Sequence, residues 1–237
     1  MSDDLRELVA KARGVAATAR ISWSQKTDRF RSTGEQVAIT TADQVRTELA
    51  PAGRWGLDAL RGRLVELSAR GAAATLTTAI ELVLEAQQVA EPVAWVTLGN
   101  ATFYPPDVAA SGVDLAALAV IRVHDTTAAA RAAERLLRSG GFGLVVLDLG
   151  GGEIVEMPIA HQGRLVTLAQ THDAAVVCIT EKPSESPSLG SLVSLRAEAL
   201  RLHSGDHDYD VTLRALKDKR RGPGWSRTTK RRGPSGL

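Results

Sequence analysis

Ser68-Ala69-Arg70-Gly71-Ala72-Ala73-Ala74-Thr75-Leu76-Thr77 is a run of mostly small residues between a short apolar segment, Leu64–Leu67, and an amphipathic one. Strand, small-residue loop and helix in that order are the setting of a phosphate-binding loop. That chemistry needs glycine at both ends of the loop, because phosphates are held by backbone N–H groups in conformations that glycine reaches most easily. It also needs a lysine for the β- and γ-phosphates and a Ser or Thr for magnesium. In register, these four positions hold Ala69, Ala74, Thr75 and Leu76. All four groups are missing. What is left is the weak dipolar pull of a helix N-terminus, with Arg70 as a nearby charge.

Asp148 closes the apolar run Gly143–Leu149, the form of the acidic strand end that assists a bound nucleotide elsewhere. The Gly150-Gly151-Gly152 that follows makes a corner and not a phosphate cradle, since no helix opening with Lys, Ser or Thr comes after it. His203 and His207 flank Asp206 and Asp208, but the five histidines show no ligand spacing with a cysteine, so no metal or other cofactor is expected. Glu153 and Glu156 read as surface carboxylates. The single cysteine, Cys178, lies inside an apolar run and reads as a small buried hydrophobe.

A different chemistry gathers at the C-terminus. The chain has 237 residues, with 29 Lys and Arg against 27 Asp and Glu. Nine of those cations and one acid fall in residues 214–237, leaving 20 and 26 in residues 1–213, so a body of −6 carries an end of +8. Such an end suits nucleic-acid phosphates or an acidic partner. The candidate DNA-binding residues are Arg214, Lys217, Lys219, Arg220, Arg221, Trp225, Arg227, Lys230, Arg231 and Arg232. Trp225 among these cations suits either stacking on single-stranded bases or anchoring a partner. Contacts of this kind position phosphates without reading bases, so the binding expected is non-specific.

The elements that must position these groups follow from periodicity. Leu76, Ala79, Ile80, Val83 and Leu84 mark one face of a helix. Val93–Leu98, Leu115–Val123, Gly143–Leu149 and Ala174–Ile179 read as strands, and Thr126–Arg138 and Ile159–His172 as helices between them. Strands that are apolar throughout and alternate with helices imply a mainly parallel α/β sheet buried on both faces. The alternation then stops. Leu192–Leu202 and Asp210–Leu216 read as a β-hairpin, and Gly222-Pro223 ends regular structure. At the other terminus, Leu5, Leu8, Val9 and Ala12 give a helix over Leu5–Ala19, followed by a polar linker. One isolated helix cannot bury its own apolar face, so it is expected to dock on the body of the chain or on another protomer, and Leu5, Leu8 and Val9 are the candidate partner contacts in the second case. Three regions result: residues 1–50, a helix and linker; 51–219, an α/β core; and 220–237, a basic flexible tail. No membrane-spanning run or signal peptide is present, and one cysteine fits a reducing cytoplasm.

Gly62-Arg63-Leu64-Val65-Glu66-Leu67, the decayed loop, Pro92-Val93-Ala94-Trp95-Val96, Gly112-Val113-Asp114-Leu115 and Leu137–Asp148 follow one another as in the core of RecA-like recombinases. The sequence most resembles their shortened relatives, the ImuA proteins of bacterial SOS mutagenesis, over about Leu57 to Lys219. The resemblance implies a P-loop NTPase-type core that has lost its motor. Where the family has a catalytic Glu after the strand matching Val93–Val96, this chain has Gly99, and the polar sensor falls at Thr180-Glu181. The family's two DNA-binding loops fall at Leu149–Met157 and Lys182–Gly190, both short and poor in cations. The resemblance further implies a non-catalytic adaptor in translesion DNA synthesis, with RecA, an ImuB-like inactive polymerase subunit, an error-prone DnaE-type polymerase and DNA as partners. The rival readings are a weak ATPase with an altered nucleotide site and a SulA-like cell-division inhibitor, for which a +8 tail has little use.

Overall fold

The structure is a computed structural model and describes Ala10 and residues 55–99, 103–151, 155–203 and 208–232. The helix expected at Leu5–Ala19, with Leu5, Leu8 and Val9, lies outside the described residues, as do Glu153, His207 and residues 233–237.

Eight strands build one sheet: β1 (Arg63–Ala69), β2 (Val93–Leu98), β3 (Leu118–Val123), β4 (Leu144–Asp148), β5 (Ala175–Glu181), β6 (Leu195–His203), β7 (Asp208–Asp218) and β8 (Ser226–Arg232). Their order across the sheet is β3-β2-β4-β5-β1-β6-β7-β8. The first six are parallel, β7 runs antiparallel to β6, and β8 antiparallel to β7. The helices are α1 (Leu57–Leu60), α2 (Thr75–Gln88), α3 (Pro105–Ala110), α4 (Thr126–Arg138) and α5 (Ile159–Thr171). The molecule is thus α/β with a mostly parallel sheet, as the alternating apolar runs require.

The two faces of the sheet carry separate cores. Val65, Leu67, Trp95, Val146 and Val177 pack with α1, α2 and α3, and this core runs on under Val211, Leu213 and Trp225. Leu64, Val96, Val145, Leu147 and Cys178 point the other way, against α4 and α5. A strand buried on both sides has no polar alternation to offer, which is why β4 and β5 read as continuous apolar runs. Each fully buried Leu or Val contributes on the order of 1.5–3 kcal/mol, enough to override the modest β-propensity of the alanines among them. The Asp125 carboxylate caps α4 by accepting from the Ala128 N–H at 2.6 Å, and Arg135 and Arg138 sit in its last turn, where they complement the helix dipole.

Two boundaries differ from expectation. The strand expected within Leu115–Val123 begins at Leu118, and residues 115–117 before it form a turn of 3-10 helix, because the Asp114 side chain accepts from the Ala116 N–H. The larger difference is at the C-terminus: Ser226–Arg232, expected to be flexible, is β8, the edge strand of the sheet. Cations and threonines are suitable for such an edge, because charge there discourages pairing with another chain. The sheet therefore extends well past Lys219. Among the described residues, no helix is long and apolar enough to cross a membrane.

Candidate functional site

The loop after β1 is folded against β6 instead of standing open. β6 runs past the end of β1, and its upper edge is paired by the loop itself. The Ala74 N–H donates to the Ala199 carbonyl at 2.9 Å, and the Ala72 carbonyl accepts from the Arg201 N–H at 2.8 Å. Ala73 forms an antiparallel bridge with Leu200, while its N–H turns back to the Gly71 carbonyl. The Ala73 and Ala74 amides, which an open phosphate loop would leave to its ligand, are consumed in main-chain bonds. The helix that follows, α2, has no side-chain cap, and the Thr78 hydroxyl donates to the Ala74 carbonyl. Arg70 is exposed at the side of this loop.

Beside the loop, a cavity of about 510 Å³ opens between α2, α3 and the β7–β8 hairpin. Leu76, Ile80, Phe103, Tyr104, Val108 and Tyr209 give it apolar and aromatic walls. Its single cation, Arg231, is paired with Glu81, and its other charged group is Asp107. A polyphosphate would meet carboxylates here and no free positive charge. Asp148 lies at the end of β4 on the same face of the sheet, and Thr97 on β2 donates to it at 3.3 Å. Burial raises the Asp148 carboxyl above its ordinary value, although the Gly150 N–H and Thr97 hydroxyl favour the charged form. Gly99, where the resemblance places a general base, sits just beyond β2 with open space around it.

On the opposite face lies a charge cluster that periodicity does not predict. Glu66, in the middle of β1, is completely buried. It accepts from the Thr180 hydroxyl at 2.8 Å and the Leu189 N–H at 2.7 Å, and it pairs with Lys182 at 2.6 Å. Arg196 on β6 lies 3.9 Å from the same carboxylate. It donates to the Ser68 hydroxyl at 3.0 Å, the Pro183 carbonyl at 2.7 Å and the Ser186 carbonyl. These bonds fasten the loop Lys182–Gly190 over the sheet. The residue where the resemblance places a polar sensor, Thr180, is spent on this network, and its neighbour Glu181 is exposed. The signal in the sequence was a Glu and an Arg, each inside an apolar strand; that they meet depends on β1 and β6 being neighbours.

The C-terminal cations divide into two sets. Arg214 pairs with Glu198 at 2.8 Å, and Arg227 and Arg231 converge on Glu81 of α2. Burial raises the Glu81 carboxyl even with the two guanidiniums opposing it. Lys230 lies exposed on the other face of β8. Lys217 donates to the Ser188 hydroxyl and Lys219 to the Ser191 carbonyl; Arg220 reaches the carbonyls of Arg61 and Gly62, and Arg221 is exposed. No carboxylate pairs with these last four side chains among the described residues. Trp225 does not stand among them as a stacking platform. It is 8% exposed, packs in the α2-side core and donates its indole N–H to Asp218 at 3.2 Å. A ring so placed cannot take an unstacked base.

Compared with known proteins, the chain matches no protein-family model and no curated protein. Among the described residues, no three His, Cys, Asp or Glu side chains are grouped to hold a metal ion.

Proposed function

We propose that this chain is a non-catalytic RecA-like adaptor of the ImuA type, acting in the cytoplasm in DNA-damage-induced translesion synthesis. In this reading it neither binds nor hydrolyses ATP. It serves as a protein platform for RecA, an ImuB-like inactive polymerase subunit and a DnaE-type error-prone polymerase, and it holds DNA through C-terminal cations. The sheet order supports a P-loop NTPase-type core over a dinucleotide-binding one. β4 and β5 stand between β1 and β2, whereas dinucleotide folds run 3-2-1-4-5-6 and flavodoxin-like folds 2-1-3-4-5.

The observation that carries the non-catalytic reading is the sealed loop, in which Ala72 and Ala74 bond to β6 where a phosphate would sit. Phosphoryl transfer depends almost wholly on positioning and on electrostatic stabilisation of the transferred group. With no lysine and no magnesium ligand at these positions, and with the Ala73 and Ala74 amides already bonded, the main contributions are missing. The fastened Lys182–Gly190 loop likewise argues for DNA contact elsewhere than at the family's usual loops. Affinity capture of the tagged chain from DNA-damaged cells tests the adaptor reading. Recovery of RecA or of the two polymerase subunits supports it. Recovery of the tubulin-like division protein instead would favour the cell-division reading.

A further inference from the structure

We propose that the nucleic-acid contact is made by the turn Lys219-Arg220-Arg221 at the amino-terminal edge of the parallel strands, the edge opposite the sealed loop, and not by β8. This rests on the DNA-binding part of the function proposed above and assigns it a place. Arg227 and Arg231 share Glu81, and Arg214 is held by Glu198, so three of the six cations on the hairpin strands are paired within the fold. At the amino-terminal edge the pairing is arranged the other way. Arg61 gathers Asp58, Glu91 and Asp173, and Arg63 takes Asp218, so none of these four acids is paired with a side chain of the turn. Lys219, Arg220 and Arg221 remain, all exposed, with only carbonyl oxygens as side-chain partners for the first two.

The turn is also fixed before any ligand arrives. The Asp218 carboxylate accepts from Arg63 at 2.7 Å, from the Arg220 and Arg221 N–H groups at 3.0 and 3.3 Å, and from the Trp225 indole at 3.2 Å. Gly222 and Gly224 hold left-handed backbone, φ +77° and +90°, on either side of Pro223, which brings the chain back into β8. A preorganised group of cations loses little entropy on meeting phosphates, whereas a flexible tail must be ordered first. Crowding of like charge agrees with this picture. Lys217, flanking the turn, has its ammonium lowered by burial and by Lys219, and Arg63 is lowered chiefly by burial, with Arg220 and Arg221 adding to it.

The test is fluorescence anisotropy of a labelled single-stranded oligothymidine over a salt series, using the full chain. Two triple variants are compared: Lys219→Ala/Arg220→Ala/Arg221→Ala, and Arg227→Ala/Lys230→Ala/Arg231→Ala. Three lost phosphate contacts on a single strand should flatten the log–log salt slope by about 2 and weaken binding roughly tenfold or more at low salt. The strand variant should stay within about twofold, since two of its three cations are already paired. Arg221→Glu, at a side chain outside every hydrogen bond described here, repeats the test without touching the fold and should weaken binding severalfold. If the turn variants bind like wild type while wild type binds well, this placement is wrong and the DNA-binding reading survives. If the wild-type chain gives no salt-dependent binding, both fall together. Turn-dependent binding to phosphatidylglycerol vesicles without binding to the oligonucleotide would also overturn the proposal, by assigning the turn to a membrane surface.

Discussion

The middle and the amino end of β1 use the same device to opposite effect. At its middle, buried Glu66 collects Thr180, Lys182 and the Leu189 N–H, and Arg196 beside it holds Pro183 and Ser186, so that a neighbouring loop is drawn onto the sheet. At its amino end, buried Asp218 collects Arg63, Trp225 and two backbone amides, so that a neighbouring turn is held rigid. In the first case the cations are among the groups consumed. In the second they project outward from what has been fixed. A buried carboxylate is therefore no guide to activity by itself; what matters is whether the loop it organises faces inward or outward.

Breaking either centre should produce the largest effects. Glu66→Ala would leave Arg196 and Lys182 without their carboxylate, and Asp218→Ala would strand Arg63, which is 1% exposed. Removing one partner of a buried pair typically costs about 3–5 kcal/mol, and denaturant melts should find each variant destabilised by that order. The comparison is sharpened by limited proteolysis: the first variant should be cut in Lys182–Gly190 and the second in Lys219–Gly224. Cleavage at the same place in both would mean that the two centres are not independent.

A smaller effect separates the two by pH. Burial would raise the Asp218 carboxyl, but Arg63, the Arg220 N–H and Trp225 together hold it below the usual carboxylate range. Its folded value lies under its unfolded one, near 4, so its stabilisation is present above roughly pH 4 and is lost as pH falls through the folded value. Asp218→Asn should therefore remove part of the acid-side slope in a plot of thermal midpoint against pH. Asp148 behaves with the opposite sign. Its raised folded value means that the ionised carboxyl disfavours folding as pH rises through it, so Asp148→Asn should raise the midpoint at neutral pH. A fall on that substitution would mean that the hydrogen bonds from the Gly150 N–H and Thr97 outweigh the cost of burying the charge.

Much of this architecture was legible in the sequence, for a physical reason. Parallel strands buried on both faces leave apolar runs, and β1, β2, β4 and β5 all sit within a residue or two of where those runs lie. β8 was not legible, because Arg227, Lys230 and Arg231 hide its period of two, and its stability comes from pairing with β7 and from Glu81. The missing phosphate chemistry was plain from Ala69, Ala74, Thr75 and Leu76. The sealing of the loop was not, since it depends on β6 outrunning β1 and meeting Ala73 at Leu200. The same long-range pairing turned Trp225 from a tail residue into a core one. Cation identity could be read locally, but cation availability could not.

The smallest expected effect is the most pointed one. Restoring the residue types with Ala69→Gly, Ala74→Gly, Thr75→Lys and Leu76→Thr should still leave ATP unbound, because the amides at positions 73 and 74 remain committed to Gly71 and Ala199. Recovery of binding would mean that side chains alone had closed the site. The central claim, that the carboxyl edge is shut to phosphate, is tested most directly by isothermal titration of the wild-type chain with ATP and magnesium. The account predicts heats no larger than those of dilution. Saturable binding in the micromolar range would contradict it.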